Sequence, residues 1–126
     1  MIVMAPISVG ELIDKITILG IKQELLTEPD KLYNVDVELR ELGVILRALK
    51  LPDIADLQHQ LRMVNRELWH IEDYKRNCER TQEFGDGFVN AARQVYLKND
   101  LRAKIKRDIN TRCGSTIVEE KSYGNI

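Results

Sequence analysis

The sequence predicts an all-α protein: an antiparallel bundle of about four helices with short extended segments at both ends. Proline and glycine residues divide the chain into four long stretches joined by short connections, as in bundles of antiparallel neighbours. Within the stretches, apolar residues recur at intervals of three and four, which is the spacing of one helix face. The end segments contain the β-branched residues Ile2, Val3 and 116–118, which predict a minimal two-stranded ribbon.

Each predicted helix is bounded by residues that start or stop helices. Ser8 and Glu11 form a capping box, in which the serine hydroxyl accepts from a free backbone N–H and the glutamate reaches back. Asp53 is a natural N-cap for helix three, and Gly114 suits the left-handed position after helix four. The predicted ranges are about 9–26, 29–49, 54–81 and 87–113.

The regular apolar seams of helices two and three predict that these two helices pair. Their spacing alternates threes and fours without a slip, as in helices that cross near +20°. We therefore predict an αα-hairpin of helices two and three. The seam residues are Leu32, Val35, Leu39, Leu42, Leu46 and Leu49 in helix two, and Leu57, Leu61, Val64, Leu68, Ile71, Lys75 and Cys78 in helix three.

Helix one differs because it is apolar on two sides. One side carries Ile13 and Ile16, and the other carries Ile18 and Ile21. A helix that is apolar on two sides is buried on two sides. Either helix one is central in the fold, or its second side meets another copy of the chain.

The composition indicates a folded chain without strong charge bias. With 44% hydrophobic and 31% charged residues, the 126-residue chain has the balance and length of one globular domain, residues 1–126. Its 19 basic and 20 acidic residues give a net charge of −1, which disfavours nucleic-acid binding and attraction to anionic membranes. No apolar run approaches the roughly 20 residues that span a bilayer. The sequence therefore predicts a soluble protein.

Cysteine usage and the N-terminus predict a location in the reducing cytoplasm. Cys78 and Cys113 form no CxxC pair, so their spacing indicates neither a disulfide framework nor a zinc site. The N-terminal residues lack the basic region and apolar core of a signal peptide.

Polar residues interrupt the apolar stripe of helix four. Asn99, Arg102 and Lys106 fall on that stripe, and a buried cation needs a partner or water. A ridge on helix three that includes Trp69 and Glu72 is the expected partner. The cluster has two readings, a salt-bridge network that fixes helix register or a pocket for a small anionic ligand. The local excess of basic residues over 93–112 fits a phosphate or carboxylate, and equally a solvated face near a helix C-terminus.

Metal and nucleophile chemistry find little support in the sequence. Glu67 and His70 match a di-iron step, but the other histidine, His59, is on the same helix, and both histidines project away from the apolar seam. The acidic step Glu11 and Asp14 could hold a divalent cation, yet it lies in a first helical turn, where acids stabilise the helix anyway. We therefore expect no metal and no cofactor. Whether the protein catalyses a reaction is left open.

Four segments carry a resemblance to a known family. They begin at Ile7, Leu68, Val95 and Ile117 and read ISVGELIDKITIL, LWHIED, VYLKNDLR and IVEEKSY. On these segments the chain resembles a family of short proteins of unknown function. The resemblance implies an all-α fold without an established activity, and a polar tail that folds back over the bundle. It points to the polar positions Glu11, Asp14, Lys15, Trp69, Glu72, Tyr96, Asn99, Asp100, Arg102 and Lys106.

Two functional hypotheses follow. The first is a non-enzymatic, self-associating helical accessory or interaction module, with a homodimer favoured, because helix one has two apolar faces. The alternative is a site that binds or acts on a small anionic ligand between helices one, three and four. Its candidate residues are Lys15, Trp69, Glu72, Tyr96, Asn99, Arg102 and Lys106.

Overall fold

The computed structural model describes residues 1–121 and contains four α-helices. They are α1 (Val9–Leu25), α2 (Pro29–Ala48), α3 (Ala55–Thr81) and α4 (Asp86–Cys113). No strand occurs in these 121 residues, so the predicted all-α fold is confirmed. Each predicted helix end lies within one residue of the observed end.

The helix ends follow the predicted chemistry, with differences at Asp53 and Glu11. The N-cap of α3 is Ile54, and Asp53 lies one residue before it and accepts from the Ala55 N–H at 3.0 Å. Ser8 Oγ accepts a hydrogen bond from the Glu11 backbone N–H at 3.0 Å, which caps α1. Glu11 directs its carboxylate to Lys106 on α4, 2.6 Å away, and not to a cap. Gly114 ends α4 with a φ of 65°, the left-handed conformation that glycine adopts without strain.

The helix α1 lies at the centre of the bundle and packs against the other three helices. The helices α3 and α4 pack against each other, whereas α2 contacts only α1 among the four. The predicted hairpin of helices two and three is therefore wrong. A seam shows which face of a helix is buried but does not identify its partner, and both seams are satisfied here by packing against α1.

The two apolar sides of α1 explain this arrangement. Ile13 joins the core made with α3 and α4, where Leu61 and Ile109 are fully buried. Leu12 faces a groove that Leu42 of α2 also lines. Of the two sequence-based alternatives for helix one, the central position is the one observed.

The chain ends do not form the predicted ribbon. Ile2 and Val3 are exposed, and residues 115–121 run back along α4. We call residues 115–121 the strap. Two isolated strands are only marginally stable, whereas the strap gains ion pairs with α4. The polar tail predicted to fold back does so as far as Lys121, and its last two residues, 122 and 123, lie outside the described part of the chain.

Among residues 1–121, no helix is long and apolar enough to cross a lipid bilayer.

A glycine sets the closest approach between α1 and α4. A Cβ at Gly10 would lie 2.5 Å from the Lys106 carbonyl oxygen and 2.9 Å from Asn110 Oδ1. The absence of a side chain lets the Gly10 backbone N–H donate to Asn110 Oδ1 at 2.6 Å. One residue earlier, the Val9 N–H donates to Ser115 Oγ at 3.1 Å. The first two N–H groups of α1 are thus satisfied by α4 and the strap, and the third, that of Glu11, by the Ser8 cap.

We expect Gly10→Ala to lower the free energy of unfolding by about 1–3 kcal/mol, because the methyl group overpacks a backbone contact that cannot move away. Gly20→Ala is the matched control on the same helix, since its Cβ would meet only Arg62 Nη1 at 3.7 Å. The control should be neutral or stabilising by up to about 1 kcal/mol. Urea denaturation measures both, and equal effects would contradict the close-contact explanation.

Candidate functional site

A buried carboxylate joins three helices. Asp14 of α1 is only 1% exposed. It accepts a hydrogen bond from Asn65 Nδ2 of α3 at 2.8 Å, and from Arg102 Nη2 and Nε of α4 at 2.6 and 3.1 Å. A buried charge is stable only when it is paired and hydrogen-bonded, and Asp14 meets both conditions.

Lys106 extends this polar cluster by one turn of α4. Its Nζ donates to Glu11 Oε2 at 2.6 Å and to Glu119 Oε2 of the strap at 2.8 Å, and lies 3.9 Å from Asp14 Oδ2. Burial opposes the charge of Lys106, but the hydrogen bonds to Glu11 and Glu119 outweigh it, so the pKa of Lys106 is raised above its ordinary value. Lys106 therefore remains a cation in the bundle.

The sequence prediction identified the cations but not all their partners. Helix three was expected to pair with the polar stripe of helix four, yet the carboxylates that bind Arg102 and Lys106 come from α1 and the strap. From α3, Asn65 reaches Asp14 and not α4. No buried side-chain nitrogen or oxygen in residues 1–121 lacks a hydrogen-bond partner. The buried polar groups therefore form a structural network, and the open clefts beside it are the candidate ligand sites.

Two open clefts flank Arg102. The first, about 310 Å³, lies between α1, α3 and α4, and we call it the indole cleft because Trp69 lines it. The second, about 340 Å³, lies between α4 and the strap, and we call it the strap cleft. The indole cleft is lined by Ile18, Asn65, Leu68, Trp69, Glu72, Asp73, Arg76 and Arg102. The strap cleft is lined by Asn99, Arg102, Ala103, Lys106, Arg107, Asn110, Glu119, Glu120 and Lys121.

The clefts divide the predicted site residues between them. Trp69 and Glu72 lie with Arg102 in the indole cleft, whereas Asn99 and Lys106 lie with it in the strap cleft. The seven candidates therefore do not form one pocket.

Two of the candidates lie apart from both clefts. Lys15 is exposed, lies 3.6 Å from Glu11, and lines the apolar groove between α1 and α2. Tyr96 is exposed on α4 and lines neither cleft.

Sequence reasoning from the residues missed two important side chains. Asp14 looked like an ordinary acid in a first helical turn, although the family resemblance did name its position. Asn110 lies one turn after Lys106 on α4 and binds the first turn of α1. The signal that could have found Asp14 is its place next to Ile13 on the buried side of α1, where an unpaired acid would be costly.

The residues considered for other chemistries lie elsewhere. His59 and His70 are exposed, as predicted. Cys78 is buried and Cys113 partly buried, and neither forms a disulfide. Within residues 1–121, no group of three or more His, Cys, Asp or Glu side chains is placed to hold a metal ion.

Comparison with known proteins identifies the family. The family of unknown function DUF6165 matches residues 3–126, which is nearly the whole chain. The chain belongs to this family. The resemblance inferred from the sequence is thereby confirmed. No curated protein and no solved structure matches the chain.

We expect Asp14→Asn to lower the free energy of unfolding by about 2–4 kcal/mol, because it leaves Arg102 and Lys106 without a shared carboxylate. The value lies below the range for fully buried pairs because the Arg102 side chain is 29% exposed. Asp108→Asn is the control, since Asp108 forms an exposed pair with Lys104 at 3.6 Å and should cost no more than about 1 kcal/mol. Chemical denaturation of both variants checks the difference, and a small effect at Asp14 would refute its central role.

Proposed function

We propose that the protein is a non-enzymatic, cytoplasmic binding module that holds a small anionic ligand with a flat apolar part in the indole cleft. The observation that carries this proposal is that Trp69, Arg76 and Arg102 line one open cleft. Binding sites for small molecules combine an apolar wall with a few well-placed polar groups. The two unpaired cysteines support a reducing compartment.

Arg76 is the cation best placed to receive the ligand's charge. It forms no ion pair or hydrogen bond with any residue in the described part of the chain, whereas Arg102 is held by Asp14. Two acids, Glu72 and Asp73, also line the cleft, and Glu72 is partly neutralised by Lys75, 3.5 Å away. A guanidinium without a partner can bind a carboxylate or phosphate through two parallel N–H donors.

Trp69 offers a flat apolar surface for the ligand and a fluorescence signal for its binding. Leu68 and Ile18 line the cleft with it and provide apolar contact for a ring stacked on the indole. No histidine or cysteine is among the described residues that line the cleft, so an imidazole base and a thiol nucleophile are both lacking there. Since the chain has one tryptophan, its intrinsic fluorescence reports this cleft directly.

We expect phenyl phosphate to change Trp69 fluorescence in a saturable manner, and Arg76→Ala to weaken that binding about tenfold through loss of a charged hydrogen-bond donor. Arg80→Ala is the matched control, because Arg80 lies one turn further along α3, outside the cleft, with Asn77 as its partner. Benzyl alcohol and glycerol 2-phosphate, which each carry one half of the probe, should bind the cleft more weakly. No saturable change, or equal losses in both variants, would disprove the proposal.

Self-association through α2 is a second candidate, now favoured by a different observation. The second apolar face of α1 is covered by α2, so this face is not available to a second copy of the chain. However, α2 packs only against α1, and Val35 is the one buried residue of its 20. Tyr33 and Val44, 66% and 59% exposed, lie three helical turns apart on one side of α2, which also carries Arg40 and which we call the strip. Exposed apolar residues on one side of a helix are a usual surface for pairing with a second helix.

If α2 mediates a homodimer, sedimentation velocity should show a concentration-dependent shift toward a dimer over the micromolar to millimolar range. Val44→Glu should abolish the shift, because it places a charge in the strip. Val89→Glu is the control, since Val89 is an equally exposed apolar residue on α4. A wild-type chain that stays monomeric throughout this range would remove the self-association hypothesis.

A further inference from the structure

We propose that the strap cleft is a second anion site, specific for a phosphoryl group, and that the strap's own carboxylates occupy it as internal competitors. This site is separate from the indole cleft and uses different residues. Its cations are Lys106 and Arg107, which are adjacent on α4 and both face the strap. The carboxylates that occupy them are those of Glu119 and Glu120.

The contacts of the strap show where an anion is held. Arg107 donates from Nη2 and Nη1 to the two oxygens of Glu120, at 2.8 and 3.2 Å. Lys106 Nζ donates to Glu119 Oε2 at 2.8 Å. A fork of two guanidinium donors beside an ammonium group is the arrangement that proteins also use for phosphate. The side chains of Asn99 and Asn110 line the same cleft and add amide groups.

The inner wall of the strap cleft is formed by a buried cation of the bundle. Lys106 is buried, and its Nζ is held by Glu11 Oε2 of α1 at 2.6 Å, so the ammonium group is oriented before any ligand binds. With the strap carboxylates displaced, the cations Arg102, Lys106 and Arg107 outnumber the acids Glu11 and Asp14 that remain in contact with them. The vacated cleft would therefore carry a net positive charge, which favours an anion with more than one negative charge.

The strap carboxylates are displaceable because they lie near water. The side chains of Glu119 and Glu120 are 58% and 70% exposed, and exposed ion pairs contribute little stability. The strap is held on both sides of these two acids. Ser115 Oγ accepts from the Val9 N–H and donates to the Ile117 carbonyl oxygen, and Lys121 pairs with Asp100 of α4. Rotation of the Glu119 and Glu120 side chains can therefore free the cations while the strap backbone stays in place.

This arrangement predicts competition between the strap and a phosphoryl ligand. A ligand must displace two carboxylates, so the wild-type chain binds phosphate more weakly than its cations would allow. Removing the two charges leaves Lys106 and Arg107 free to bind. A purely structural strap gives the opposite result, because its loss would lower stability without creating affinity for anions.

The test is a titration of the full chain with inorganic phosphate and with glycerol 2-phosphate, followed by amide chemical shifts and calorimetry. We expect the double variant E119Q/E120Q to bind phosphate about tenfold more tightly than wild type, with shifts centred on Lys106, Arg107 and Asn110. The control E79Q/E83Q removes the same formal charge at the far end of α3, where both side chains are exposed, and should leave affinity unchanged. Adding R107Q to E119Q/E120Q should reverse the gain.

Each outcome decides the matter. Equal affinity in E119Q/E120Q and E79Q/E83Q would overturn the proposal, because net charge alone would then account for the data. No binding by either variant would also overturn it, because the freed cations would then hold no phosphate. Tighter binding of glycerol 2-phosphate than of phosphate supports the site and identifies a phosphorylated small molecule as its ligand, whereas the reverse order supports it and identifies free phosphate. Binding at the strap cleft is read from the amide shifts of Lys106, Arg107 and Asn110, and binding at the indole cleft from Trp69 fluorescence, because Trp69 does not line the strap cleft. Failure at one cleft is therefore distinguishable from failure at the other.

Discussion

The carboxylate of Asp14 constrains the packing of three helices at once. A charge this deeply buried needs partners within hydrogen-bond distance, and Asp14 obtains them from Asn65 of α3 and Arg102 of α4. A sliding or rotation of either helix would leave the carboxylate or the guanidinium without its partner. One turn earlier on α1, Gly10 lets the backbone approach α4 closely enough for Asn110 to bind it. The network and the close contact fix the same register, which the apolar core alone would specify less sharply.

The same network lies between the two open clefts of the polar half. Arg102 binds Asp14 with one edge of its guanidinium group, while its side chain separates the indole cleft from the strap cleft. On the first side an apolar wall around Trp69 meets the guanidinium of Arg76, which has no ion-pair or hydrogen-bond partner among residues 1–121. On the second side two basic residues of α4 are covered by acids of the strap. The polar half of the bundle thus has one open cleft beside Trp69 and another whose cations are paired with the chain's own carboxylates.

The helix α2 stands apart from this network. It covers the second apolar side of α1, contributes little buried surface of its own, and leaves Tyr33 and Val44 toward solvent. Because α2 lines neither the indole cleft nor the strap cleft, pairing with another chain through α2 would leave both clefts open. Membership of a family of unknown function is consistent with either role and selects neither.

Sequence alone determined the helices, because proline, glycine and capping residues act locally and apolar spacing records which face is buried. It also identified Trp69, Arg102 and Lys106 as unusual, since an aromatic residue and cations on buried stripes need an explanation. Only the tertiary structure decided the partners. Leucine seams are chemically alike, so nothing in them assigned α2 to α1 in place of α3, and two isolated β-branched ends gave no stable ribbon. The acid that pairs with Arg102 lies 88 residues away along the chain, so even a pattern that places Asp14 on the buried side of α1 does not name its partner.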